Sequence, residues 1–243
     1  MRVLIISDVH ANLVALEAVL RAAPSVDAIW NLGDTVGYGP RPVACLNRLG
    51  DETVEHSLVG NHDLAAIGQL DLSEFNPWAR AAALWTSEQL LASHRERLAA
   101  LPATVVAAGV TLAHGSPRDP IWEYVADRET ASANFVHFET AWCLVGHTHV
   151  ARIDWQLGPA SPSRGRRFRP DDVIDVSQGK WLLNPGSVGQ PRDRDPRASY
   201  AVLDTGRGTV TNYREEYDVA QTQRQMAESA LPVPLIARLA LGH

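Results

Sequence analysis

Val59-Gly60-Asn61-His62-Asp63 closes a short apolar run with a glycine and then sets an amide, an imidazole and a carboxylate side by side. An apolar run cut off by glycine is how a buried strand stops and presents its tip to solvent. A helix beginning near Leu64, with Asn61 or Asp63 as its N-cap, accounts for the same residues without any chemistry. The chain upstream bears on the choice. Val3 to Ile6 is continuously apolar and runs into Ser7-Asp8-Val9-His10, and Ala28-Ile29-Trp30 runs into Asn31-Leu32-Gly33-Asp34. Helical patterns follow each: Leu13 to Leu20 behind Asn12 as cap, and Pro42 to Leu49. Successive β-loop-α units predict an open α/β sheet, in which sites lie outside the carboxyl ends of the strands. Asp8, His10, Asp34, Asn61 and His62 would converge there.

Downstream, residues 71–101 read as a helical insertion, with Asn76 as cap, Pro77 at the first helical position and Trp78, Ala81 and Trp85 on one face directed into the core. A cap over the site is the other reading of these helices. Val105 to Ala107 and Val110 to Ala113 predict a hairpin turning at Gly109 that delivers His114-Gly115-Ser116-Pro117-Arg118. Ala141 to Val145 is a strand running into Gly146-His147-Thr148-His149, and Arg152 to Leu157 continues into a hairpin. Residues 158–172, rich in proline, serine and arginine, read as a flexible loop whose arginines are either solvated or an anion clamp. Asp175 to Leu183 reads as a hairpin turning near Gly179, followed by Asn184-Pro185-Gly186-Ser187; Tyr200 to Leu203 and Val210 to Tyr213 form an antiparallel pair. Without an internal repeat or a long linker, residues 1–243 are expected to form one domain.

The composition excludes several classes. A hydrophobic fraction of 45% is ample for a core, and 22 basic against 28 acidic side chains give a net charge of -6. That balance disfavours a phosphate-backbone binding face, so no polymeric nucleic acid is expected as partner, while small anionic substrates stay open. Cys45 and Cys143 stand singly in apolar surroundings without metal-finger or redox spacing, and are expected to be core thiols in a reducing compartment. The apolar run after Met1-Arg2 is too short for a signal-peptide core or a membrane span, so the expected location is the cytoplasm with no membrane contact.

Of nine histidines, five (His10, His62, His114, His147 and His149) stand at predicted strand ends beside glycine or aspartate. An Asp-x-His, a Gly-Asp, a Gly-Asn-His-Asp, a His-Gly and a Gly-His-x-His, in that order and each after an apolar strand, resemble the calcineurin-like metallophosphoesterase superfamily. The resemblance runs from Met1 to Gln190 and looks closest to the compact prokaryotic phosphodiesterase branch. It implies an α/β fold of two packed mixed sheets flanked by helices, in four layers. It also implies that Asp8, His10, Asp34 and His149 hold one metal, and that Asp34, Asn61, His114 and His147 hold a second, with Asp34 bridging. Imidazole and carboxylate donors without thiolate suit Mn²⁺, Fe, Ni²⁺ or Zn²⁺. Treated as extended backbone, Asp8/His10 and His147/His149 would share a face within each pair.

The activity this implies is hydrolysis of small phosphodiesters by a hydroxide generated between two divalent metals, with His62 as general acid and Asp63 tuning it. Alternatives are a dinucleoside polyphosphate hydrolase or a phosphomonoesterase of the same superfamily, a nuclease, and a non-catalytic protein-binding scaffold. The protein Ser/Thr phosphatases of the superfamily follow their Gly-Asp with Val-Asp-Arg-Gly; here Asp34 is followed by Thr35-Val36-Gly37-Tyr38-Gly39, without the phosphate-holding arginine. Arg118 and Arg192, each after a proline beside a motif, and Tyr38 are the candidate substitutes.

Overall fold

A computed structural model describes every residue except Ala160. Its first third is three β-loop-α units: β1 (Arg2–Ile6) and α1 (Leu13–Ala22), β2 (Ala28–Asn31) and α2 (Pro42–Gly50), β3 (Val54–Ser57) and α3 (Asn61–Ala66). Asn12 starts α1 by accepting from the Ala15 amide, and Pro42 opens α2, where a missing N–H costs nothing. The helices α4 (Pro77–Gln89) and α5 (Ala92–Ala99) follow, and then β4 (Thr104–Ala107) and β5 (Val110–Ala113). The second half contributes α6 (Arg128–Asn134), β6 (Trp142–Leu144), β7 (Arg152–Gln156), β8 (Arg164–Arg167), β9 (Val173–Asp175) and β10 (Lys180–Asn184). It ends with β11 (Ala198–Asp204), β12 (Thr209–Glu215), α7 (Val219–Glu228) and α8 (Val233–Leu239).

The strands form two mixed six-stranded sheets, ordered β3-β2-β1-β11-β12-β9 and β4-β5-β6-β10-β7-β8. Alternation along β1 explains the layering. Val3 and Ile5 face the second sheet, where they meet Leu112, Leu144 and Ile153 in one cluster, while Leu4 and Ile6 face outward onto Leu16 and Val19 of α1. The second sheet is covered outside by Ala131, Phe135 and Phe138, which pack on Cys143 and Val145. The inner strands such as β1, β2, β5 and β10 are therefore buried on both faces, which is why they read as continuous apolar runs. Cys45 and Cys143 are buried free thiols, as their surroundings suggested. Among the described residues, no helix is long and apolar enough to cross a membrane.

Three expectations are corrected. In α4 the cap and the proline stand as read and Trp85 packs half-buried on the core, but the buried face is Ala79, Ala82, Ala83 and Thr86, while Ala81 is exposed and Trp78 is 50% exposed. Two faces of that helix satisfy the same spacing, and the alanine face wins because small side chains let α3 and α7–α8 approach closely, through Ala65, Met226 and Leu235. The stretch 158–172, read as a loop throughout, contains β8, an arginine-rich edge strand paired with β7. Charged edge strands are held by backbone pairing and leave no apolar alternation to read. Asp175 to Leu183 is not a hairpin: β9 joins the first sheet through β12, β10 lies between β6 and β7 in the second, and Val176 passes through the core between them.

Candidate metal centre

The strand ends converge as the α/β rule demands, by a route the sequence did not show. Asp8, His10, Asp34, His147 and His149 all have left-handed backbone, with φ of 54°, 46°, 52°, 65° and 60°. The Asp8/His10 and His147/His149 pairs are thus not alternate residues of extended chain, and this corrects the expectation that they would be. Strained conformations of this kind persist where the surroundings over-determine them. Here, backbone amides of Asp8 and His10 donate to the carbonyls of Gly33 and Asp34, and the Gly146 amide donates to the His114 carbonyl.

Two groups result, Asp8 with His10 and His149, and Asp34 with His114 and His147; within each, donor atoms lie within 4.8 Å of one another. His149 Nε2 is 3.3 Å from Asp8 Oδ1. Asp34 Oδ2 is 3.7 Å from His10 Nε2 and 3.3 Å from His114 Nε2, so one carboxylate oxygen faces both groups. Asn61 Oδ1 lies 3.2 Å from His114 Nε2. All of these side chains are buried.

The hydrogen bonds around the groups decide which atoms stay free. The Asp8 carboxylate accepts from the His147 amide at 3.1 Å and the Asp34 carboxylate from the His62 amide at 2.8 Å, each through one oxygen. The other oxygens, Asp8 Oδ1 and Asp34 Oδ2, are buried with no hydrogen-bond partner. Nδ1–H of His10, His114 and His149 donates to the carbonyls of Val36, Leu32 and Gln190, which turns each Nε2 toward the centre. His147 is reversed: its Nε2 faces the Trp122 carbonyl at 3.2 Å, leaving Nδ1 free. The Nε2 atoms of His10 and His149 then confront each other at 3.0 Å with no proton between them. Opposed lone pairs and orphaned carboxylate oxygens in a buried space are satisfied by cations, so the residues present fit two metal ions.

Electrostatics agree. Burial lowers the pKa of His10, His147 and His149, that of His10 to well below the usual histidine range and that of His147 to about 3, which favours the neutral, metal-donating form. His114 goes the other way, to about 9, because the Asp34 carboxylate overcomes the effect of burial. His62 is buried and held down to about 4, with burial the largest cause and the Arg192 charge adding to it.

Outside these groups the predicted residues fare differently. The His62 ring lies 4.1 Å from the ring of Tyr38 and 5.0 Å from that of His10, with its Nδ1 unpartnered. A side chain at Gly37 would come within 2.9 Å of His62 Cβ, and its φ of +88° favours glycine; that loop's glycines serve this close packing. Asp63 does not reach His62 through its carboxylate: the two oxygens accept from the amides of Gly60 and Val36, the N-cap of α3 is Gly60, and burial lifts the carboxyl to about 7. Arg118 is half-exposed and pairs with Glu123, and is not brought to the centre. Arg192 is: its amide donates to the His149 carbonyl and its guanidinium reaches the Tyr38 hydroxyl at 3.5 Å. Sequence reasoning missed Trp122 and Tyr124, the latter stacked on His147 at 4.0 Å, although two aromatics shortly after His114-Gly115-Ser116 were a usable signal. It also missed Arg238, which carries no local signal.

The calcineurin-like phosphoesterase superfamily domain matches residues 1–208. The chain belongs to that superfamily. Its members are phosphoester hydrolases that generally depend on two metals, and the two groups above are ones that could hold metal ions. An uncharacterised protein of Methanocaldococcus jannaschii is 34% identical, with 98% of this chain and 97% of that protein covered. The crystal structure of a metallophosphoesterase from Sphaerobacter thermophilus is similar over 100% of this chain and 99% of that one, at 50% identity and a TM-score of 0.92. A hypothetical protein from Pyrococcus horikoshii OT3, at 21% identity and a TM-score of 0.77, covers 100% of this chain and 98% of its own, and shares the fold.

Proposed function

We propose that this phosphoesterase hydrolyses small phosphodiesters at a dinuclear centre, with Asp8, His10, Asp34 and His149 holding one divalent metal and Asp34, Asn61, His114 and His147 the other. The observation that carries this reading is the single unpartnered oxygen of Asp34 facing both groups of donors. Carboxylate and imidazole donors suit Mn²⁺, with Fe, Ni²⁺ and Zn²⁺ as the other choices. Two such ions, when bound, polarise the phosphoryl oxygens and lower the pKa of water to about 7. The chain's own residues do the rest. Carbonyls of Val36, Leu32 and Gln190 fix the histidine tautomers, and the amides of His62 and His147 fix the carboxylates. His62 stands beside both groups without touching a carboxylate through its ring, and is the general acid for the leaving alkoxide. Burial is the main cause that holds His62 down and the Arg192 charge a lesser one; an incoming phosphate anion offsets the latter and so raises the proton affinity of His62 on binding. Tyr38 and Arg192 bind the substrate beside the centre, Arg192 from beyond the Tyr38 ring.

The test is hydrolysis of bis-p-nitrophenyl phosphate against p-nitrophenyl phosphate by chelator-stripped protein, with Mn²⁺, Ni²⁺, Zn²⁺ and Mg²⁺ added back singly. Metal-dependent turnover favouring the diester is expected. A preference for the monoester replaces the diester reading by a phosphomonoesterase, and no turnover with any metal removes the catalytic reading.

A further inference from the structure

The C-terminal helix α8 delivers a second arginine to the rim of the centre. Arg238 lies over the Tyr38 ring, its guanidinium carbon 4.6 Å from the ring centroid, while Arg192 sits 5.8 Å from the same centroid. The same ring packs edge-on against the ring of the candidate ligand His10, 4.8 Å between centroids. Both guanidinium groups donate to one neutral acceptor, Gln190 Oε1, at 3.2 Å from Arg192 and 2.5 Å from Arg238. Among the described residues, neither forms an ion pair, although the chain carries 28 acidic side chains and pairs Arg118, Arg152, Arg197 and Arg214 with them. The Nε atoms of Arg192 and Arg238 are both buried without a partner.

Two like charges held together, partly desolvated and without a counter-charge repel each other and leave donors unmade. The fold nevertheless fixes both. Arg192 is tethered through its amide to the His149 carbonyl, and Arg238 is held by Leu235 and Leu239 of α8, which pack in one buried cluster with Tyr38. An arginine pair of this kind offers fork-shaped donors to a phosphate, and binding one removes both costs.

We propose that Arg192 and Arg238 form a clamp for a second phosphate group of the substrate, one tyrosine ring away from the phosphorus that is cleaved. The substrates it selects are phosphodiesters bearing a further phosphate. This deepens the diesterase reading and rests on it for the position of the cleaved phosphorus. Arg238 is then a specificity-determining residue supplied by the last helix of the chain, and its contribution appears in KM rather than in kcat.

The experiment compares the p-nitrophenyl ester of thymidine 5′-phosphate with the same ester carrying a 3′-phosphate as well. In parallel, calorimetry on the metal-loaded protein measures binding of thymidine 5′-phosphate and thymidine 3′,5′-bisphosphate. The extra phosphate is expected to lower KM and Kd by about tenfold, the lower end of what a hydrogen bond to a charged group contributes. Arg238→Gln and Arg192→Gln should each shrink that preference to about twofold, and Arg238→Lys should restore part of it. Because the two arginines sit on different elements, a shared loss is not explained by disturbance of α8. Equal affinity for the two nucleotides in the unaltered protein, or a preference that survives both Gln substitutions, overturns the clamp. Failure to cleave either ester with any metal would defeat the diesterase reading, and the calorimetric comparison would still decide the clamp.

Discussion

Gly60→Ala is the smallest change that should disable the metal centre without touching a ligand. A Cβ at this position would lie 2.1 Å from Asp34 Oδ1, 2.6 Å from the Asp34 amide nitrogen and 2.7 Å from Asp34 Cγ. Gly60 has φ of -106°, so alanine meets no backbone penalty of its own, and the clash with a backbone nitrogen leaves no rotamer that avoids it. Overpacking of this kind costs about 1–3 kcal/mol. Moving Asp34 also breaks the hydrogen bond it accepts from the His62 amide, which as a bond to a charged group contributes about 1.5–3 kcal/mol. The combined loss is about 3 kcal/mol or more, which lowers the melting temperature by roughly 6–12 °C for a domain of this size. Displacing a group that orients metal ligands lowers metal affinity by about 10–100-fold. Calorimetric Mn²⁺ titration and thermal melts of the metal-free protein measure the two effects separately. Gly206→Ala serves as control, since its nearest neighbour is an Asp204 oxygen at 3.5 Å. Unchanged Mn²⁺ affinity in Gly60→Ala would refute the placement of Asp34 at the junction of the two sites.

Further outcomes follow from the same geometry. His62→Asn should keep both metals and slow turnover of esters with poor leaving groups by about 10²-fold or more, with a smaller effect on p-nitrophenyl esters; equal slowing of both classes would remove it as the acid. In metal-free protein the raised His114 pKa adds stability that is fully present below pH 6.5 and is lost as pH rises through about 9. Urea melts across that window should show the loss in the unaltered protein and not in His114→Gln, and metal uptake near pH 7 should release about one proton for this histidine. Burial works against ionised Glu123, but hydrogen bonds from Arg118, Asn134 and Ser116 prevail and hold its carboxyl at about 2 against the usual 4.5. That stability is present above pH 4.5 and fades as pH falls toward 2, so Glu123→Gln should flatten the acid side of the stability profile.

The centre was legible because its residues sit where apolar runs stop. Strand ends are marked by glycine and by a change of polarity, and metal donors placed there must come together when the strands are parallel. The backbone that aims them was not legible: the left-handed turns at Asp8, His10, His147 and His149 are tied by backbone contacts to Gly33, Asp34, the Asp8 carboxylate and the Arg192 amide, which lie far from them in the sequence. Tertiary choice also decided α4, where two faces shared one periodicity, and β8, which is held by pairing rather than by burial. Arg238 shows the same limit at the site. A single arginine in a terminal helix becomes chemically meaningful only when the fold sets it against Tyr38.

The measurement that tests the account most directly is metal stoichiometry. Mn²⁺-loaded protein freed of excess metal should contain two ions per chain by mass spectrometry, with His149→Ala and His114→Ala each losing one of the two and Asp34→Asn holding fewer than two. A single ion per chain in an active, unaltered protein, or two ions retained by Asp34→Asn, would contradict the two-site centre bridged by Asp34.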